Sequence, residues 1–183
     1  MTAKIMKVNY LYLPHYLRAM KRCVLFTLLC VLSGSALPAR SFIQSFDRAG
    51  FYSDMASGNL DQIDEELTIV TATTVREQEA FEGALLMRKA GLLSRAKEKL
   101  TTFRSGAIKL ETAMAKDSGN VEYHFLRLMI QEHAPKVVHY NKNQEQDSQL
   151  IIRSFPALSP VLRKAILDYC PHSKLLHQKE LNG

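Results

Sequence analysis

Apolar residues recur at spacings of three and four along most of this chain, and no two alternating runs lie close enough to pair as a sheet. Leu60, Ile63, Leu67 and Val70 make one such set, and Leu100, Phe103, Ala107, Leu110 and Met114 make another. Val121, Phe125, Leu128 and Met129 make the clearest, with Leu126 and Ile130 widening the stripe. A turn of about 3.6 residues puts each set on one face, so each predicts an amphipathic helix facing a shared core. Residues 68–75 are β-branched and would suit a strand in isolation. Without a second strand nearby they are read as a frayed helix end and its connection.

Punctuation divides the pattern into six or seven helices of one all-α domain. A first helix spans 41–57, carrying Phe42, Ile43, Phe46, Phe51 and Met55, with Gly50 as its weak point. Gly58 and Asn59 separate it from the helix of Leu60–Val70. A third helix starts near Thr74 and carries Phe81, Ala84, Leu85 and Ala90 up to Gly91, and a fourth covers 93–116. Gly106 inside it costs about 1 kcal/mol relative to Ala, which reads as a site of close helix approach. Asn120 caps the next helix, and Pro135 ends it by disfavouring helical geometry at Ala134. A linking stretch over 136–148 precedes a short helix with Leu150, Ile151 and Phe155. Ser159-Pro160 opens a last helix with Leu162, Ala165, Ile166 and Tyr169 on its buried face. Pro171 stops it, and the tail 172–183 is expected to be loosely held.

The N-terminus has a different character. Lys21 and Arg22 precede an apolar run of ten residues, 23–32, and then the small residues Ser33, Gly34, Ser35 and Ala36. That order predicts a secretory signal over 20–36. The run is too short for a membrane span, which needs about 20 residues. Residues 1–19 are expected to be an upstream extension, with translation starting at Met20. Residues 1–36 hold five bases and no acid, so the net charge of +6 and the pI of 9.3 belong mostly to this segment. Without it the chain is nearly neutral, which argues against nucleic-acid binding. Residues 37–82 carry −6 and residues 83–183 carry +7. Two of the three cysteines leave with the leader. Cys170 alone remains, so no disulfide forms within the exported domain and apolar packing must hold it together.

Two resemblances accompany this reading. Gly106, Leu110, Ala113, Asp117 and Asn120 sit where a tetratricopeptide repeat has small, bulky, small and turn residues, although Ser118 replaces the expected Pro. This part of the chain resembles that family and implies an antiparallel helix-pair bundle. The stretches EYHFLRLMIQEHAP (122–135), YNKN (140–143) and LSPVLRKAILDY (158–169) resemble a family of small exported helical proteins of Gram-negative bacteria. That resemblance implies export and helicity and brings no activity with it.

The catalytic inventory is thin: there is no HExxH, Walker loop, dinucleotide fingerprint or CxxC pair. Cys170, His172 and His177 are only three zinc-type ligands, and they follow a helix-ending Pro. They read as a half-buried thiol with exposed histidines, so no metal and no cofactor is expected. A Cys170 nucleophile would need a histidine and an orienting group that the sequence does not place beside it. Arg127 interrupts an apolar run, with His124 and Gln131 on its own face. A guanidinium there either anchors a carboxylate or belongs to a solvated or ion-paired stripe. His124, Arg127, Gln131, His133 and Tyr123 are therefore the candidate binding residues, bordered by Glu132, Tyr140 and Asn143. The function expected first is a periplasmic or secreted helical module that binds another protein without catalysis. The second is a helical carrier or sensor of a small apolar or anionic ligand anchored by Arg127, and an enzyme comes third.

Overall fold

Polar side chains start four of the eight described helices. The computed structural model describes residues 46–181, so the expected leader and the upstream stretch 1–19 lie outside the described residues. The Asp47 carboxylate accepts from the Ala49 N–H and opens α1 (Arg48–Ser57), which Gly58 closes in the left-handed region at φ 68°. Asn59 caps α2 (Leu60–Ala72) by accepting from the Asp61 and Gln62 N–H groups. Helices α3 (Gln78–Leu92) and α4 (Ala96–Lys116) follow without side-chain caps. Asn120 opens α5 (Val121–His133) as the sequence predicts, its side chain accepting from Glu122 N–H. Then come α6 (Gln144–Ser154), α7 (Pro160–Tyr169), capped by Ser159, and the short α8 (Gln178–Leu181). No strand occurs among the described residues, and consecutive helices pack antiparallel in one all-α domain.

The β-branched run after Leu67 stays helical to Ala72, with Val70 fully buried on the helical face it shares with Ile63, so tertiary packing overrides the strand preference. Thr68 and Thr71 donate to the carbonyls of Asp64 and Leu67 one turn back.

The α3–α4 pair is the most closely packed. An added Cβ on Gly106 would lie 2.5 Å from the Gly83 carbonyl oxygen, and one on Gly83 would lie 2.7 Å from the Gly106 oxygen and the Leu110 nitrogen. The two glycines let backbone meet backbone. Gly106 was legible as such a point, whereas Gly83 was not singled out. The core beside them is aromatic. The Phe51 and Phe81 ring centroids are 4.7 Å apart, and Phe125 lies 5.7 Å from both Tyr52 and Tyr169. All three phenylalanines are fully buried. Helix α5 is central, with every residue from Glu122 to Leu128 buried.

Four expectations need correction. The helix expected over 41–57 begins only at Arg48, behind the Asp47 cap, and the described helices number eight rather than six or seven. Residues 144–148 do not belong to a linking stretch but form the first turn of α6. Glu145 and Asp147 lie there, where negative charge favours a helix N-terminus. The tail is not loosely held either. Ser173 Oγ and Lys174 N–H donate to the Glu132 carboxylate at 2.9 and 2.6 Å, Leu176 is fully buried, and Leu181 of α8 packs in the core.

Candidate functional site

The polar stripe of α5 turns inward. His124, Arg127 and Gln131 are all buried, and the first two converge on Asp147 of α6, which is completely inaccessible to solvent. Arg127 Nε and Nη2 donate to the two Asp147 oxygens at 2.8 and 2.7 Å, a bidentate fork. Its Nη1 donates to Glu111 of α4 at 3.2 Å, and the Tyr140 hydroxyl donates to the same carboxylate at 2.6 Å. His124 lies with Nδ1 2.6 Å from Asp147 and Nε2 2.9 Å from the Ser118 carbonyl. Both ring nitrogens face acceptors, so the imidazolium suits the site. Burial alone would push the His124 pKa down, but the Asp147 and Ser118 hydrogen bonds outweigh it and raise it above 6.5. Burial likewise opposes ionisation of Asp147, yet Arg127 and His124 hold its carboxyl below 3.8.

This network is chemically closed. No ring nitrogen of His124 is free to take a proton from a substrate, and the Arg127 fork is occupied by protein carboxylates. It fastens α4, α5, α6 and the turn at Ser118 to one another. Of the solvated or ion-paired stripe that the sequence suggested, the ion-paired form is found, because His124, Arg127 and Gln131 are buried and the first two meet Asp147.

The other candidates lie apart from it. Gln131 is buried, and its carboxamide oxygen has no hydrogen-bond partner among the described residues. Tyr123 lines a separate recess of about 120 Å³ beside Arg76, Lys116 and Asp117. Glu132 is taken up by the Tyr169 hydroxyl, Ser173 and Lys174. Asn143 precedes α6 and accepts the Asp147 N–H through its carbonyl. Cys170 is buried, and burial pushes its thiol up, away from the thiolate a nucleophile requires. Among the described residues no group of three or more His, Cys, Asp or Glu is placed to hold a metal ion.

His133 alone of the candidates lines an apolar cleft of about 790 Å³. Its walls come from the end of α1, the second half of α3, the first half of α4 and the end of α5, with Tyr169 and His172 at one side. The floor is apolar and adaptable: Met55, Met87, Met129, Phe103 and Ile130. Apart from the Tyr169 hydroxyl, which donates to Glu132 at 2.7 Å, the polar side chains are all basic. They are Arg88, Lys99, Arg104, His133 and His172, and no carboxylate lines the cleft. Arg88 is the most sheltered of the five, and its Nε donates to the Met55 carbonyl at 2.8 Å near the end of α1. None of Arg88, Lys99 or Arg104 forms an ion pair among the described residues. His133 Nδ1 donates to the Met129 carbonyl at 3.0 Å, which leaves Nε2 as the unprotonated nitrogen of the neutral ring.

The sequence reading missed Arg88, Lys99 and Arg104. A signal for them exists: residues 88–104 hold six bases and one acid, the densest positive stretch of the helical domain. Of the three methionines, Met55 and Met129 are legible only as core residues and Met87 is not singled out. Comparison of the chain with protein-family models, with curated proteins and with solved structures returns no match.

Proposed function

We propose that this chain is an exported helical carrier or sensor, without catalysis of its own, whose small apolar ligand occupies the cleft between α3, α4 and α5. One observation carries the reading: a cavity of about 790 Å³ with an apolar floor and a polar rim that is almost wholly basic. Ligand pockets of this kind run to roughly 300–1,000 Å³, mostly apolar with a few polar groups that fix orientation. Arg127, engaged by Asp147 and Glu111, is read as a clamp of the scaffold, and the cleft bases take over the anchoring role. The tetratricopeptide-like reading of 106–120 belongs to the same proposal, supported by the burial of Gly106, Leu110 and Ala113 in α4.

The test is fluorescence titration of the mature domain with a neutral apolar probe, N-phenyl-1-naphthylamine. Saturable binding at one site is expected. Gly91→Trp should abolish it, because Gly91 lines the cleft and has open space where a side chain would start. No saturable binding, or equal binding by Gly91→Trp, refutes the reading.

A protein partner is the second reading. Val137, 79% exposed, and Leu100, 39% exposed, stand at the lip of the cleft, where a macromolecule would cover them. On that reading Val137→Asp releases a captured partner while probe binding stays intact.

A further inference from the structure

We propose that the cleft selects an amphiphilic anion, a long-chain acyl carboxylate whose chain lies on the methionine floor and whose head meets the Arg88 guanidinium. The inference rests on the cleft being a ligand site and adds what the ligand must be.

The lining excludes most alternatives by its donors and acceptors. A sugar or nucleoside needs side-chain acceptors for its hydroxyl and amino groups, and a cation needs carboxylates. The lining holds neither carboxylate nor carboxamide, and its one hydroxyl, on Tyr169, is already donated to Glu132. What it holds in excess is donors with positive charge and apolar surface. A ligand matching both has an apolar body and an anionic head with few hydrogens to donate.

Arg88 is the base prepared for that head. Its Nε is fixed on the Met55 carbonyl, so the guanidinium is held in place before the ligand arrives. Its two Nη groups make no hydrogen bond among the described residues. A carboxylate engages such a fork with two parallel bonds. The contact of Gly83 with Gly106 and Leu110 sets an antiparallel register that brings Arg88 level with Phe103 and Arg104 of α4. A second cation therefore stands at the same height of the cleft.

An acidic amphipathic helix of a partner would meet the same charge with one face in the cleft, its anchors from i to i+7 spanning about 10.5 Å, so it is the occupant the experiment must separate from an acyl chain.

The experiment displaces N-phenyl-1-naphthylamine from the wild-type mature domain with dodecanoate, dodecyltrimethylammonium and a 14-residue acidic amphipathic peptide. Dodecanoate should displace the probe at a concentration at least tenfold below that of the cation, and added salt should narrow the gap. Arg88→Met should shrink that preference about tenfold, read as the ratio of the dodecanoate and cation concentrations that displace the probe from the variant. If Arg88→Met does not fold, the double variant Arg104→Gln/Lys99→Gln replaces it, since both side chains are exposed and unpaired among the described residues. Equal displacement by anion and cation overturns the inference and leaves the cleft reading standing. Displacement by the peptide at lower concentration than dodecanoate overturns it in favour of a protein partner. Failure of the probe itself to bind removes the cleft reading beneath both.

Discussion

Alanine at Gly106 should destabilise this protein even though alanine is the better helix former. In an open helix the change stabilises by about 1 kcal/mol, because glycine loses more backbone freedom on folding. At Gly106 the new methyl would stand 2.5 Å from the Gly83 carbonyl oxygen, 2.8 Å from Met87 Cγ and 2.9 Å from Leu86 Cβ. The oxygen is backbone and has no rotamer to change. The helices must part by close to an ångström to restore ordinary contact at about 3.4 Å. Such overpacking costs about 1–3 kcal/mol. With the helical gain of about 1 kcal/mol subtracted, the net loss is up to about 2 kcal/mol, or up to roughly 4–8 °C in Tm for a domain of this length.

Gly91→Ala is the internal control. Gly91 lies in α3 as well, but a Cβ there meets nothing within 4 Å. That variant should match the wild type or exceed it by up to about 1 kcal/mol. Urea denaturation followed by circular dichroism reads both, with equal m-values securing the comparison. If Gly106→Ala melts at or above the wild type, the close α3–α4 contact is not what holds this pair.

Asp147→Asn leaves Arg127 and His124 buried without their carboxylate, and should cost about 3–5 kcal/mol in denaturant titration; a loss below about 1 kcal/mol would show the network to be dispensable. The same network sets a pH window. The Asp147 contribution is lost as pH falls through its folded pKa, below 3.8, and the His124 contribution is lost as pH rises through its folded pKa, above 6.5, so His124→Gln should flatten the alkaline limb of a stability profile. Glu66 acts in the same direction as His124. Burial and then Asp54, Asp47 and Glu65 raise its pKa from 4.5 to about 7, so stability falls as pH rises between those values. Glu66→Gln should remove that slope and stabilise the protein at pH 8 by up to about 3 kcal/mol; an unchanged slope between pH 4.5 and 7 refutes it. N-terminal sequencing of the protein recovered from its native cells should begin after Ala36, and a retained 23–32 segment would overturn the leader reading and the charge argument that depends on it.

What the sequence made legible followed from local rules. Asn120 and Ser159 announce helix starts because their side-chain oxygens reach N–H groups two or three residues ahead, and both caps form. Pro135 stops α5 because the residue before a proline leaves the helical region. Arg127 stood out as a charge in an apolar run, but its meaning lay in Asp147, 20 residues further on. Periodicity alone put Asp147 in a linker, because α6 has few apolar residues in its first two turns. Its helical start depends on acids at an N-terminus and on a buried ion pair, and a hydrophobic pattern detects neither. The tail failed for a related reason: Leu176 and Leu181 are too widely spaced to show a period, yet Glu132 and the core each fix a point along it.

The two features of α5 depend on one another. Arg127 and His124 tie the helix to α4 and α6, and Met129, Ile130 and His133 at its far end form one wall of the cleft. Arg127 and Met129 are two residues apart, about 3 Å of rise, so a tilt of α5 about its ion pairs moves that wall. A helix clamped by buried charges is costly to shift, so the cleft keeps its shape without bound ligand. The floor supplies the adaptability, since methionine side chains change rotamer easily. A rigid frame with a soft lining suits ligands that share a chemistry, an apolar chain and a negative head, more than it suits one exact outline.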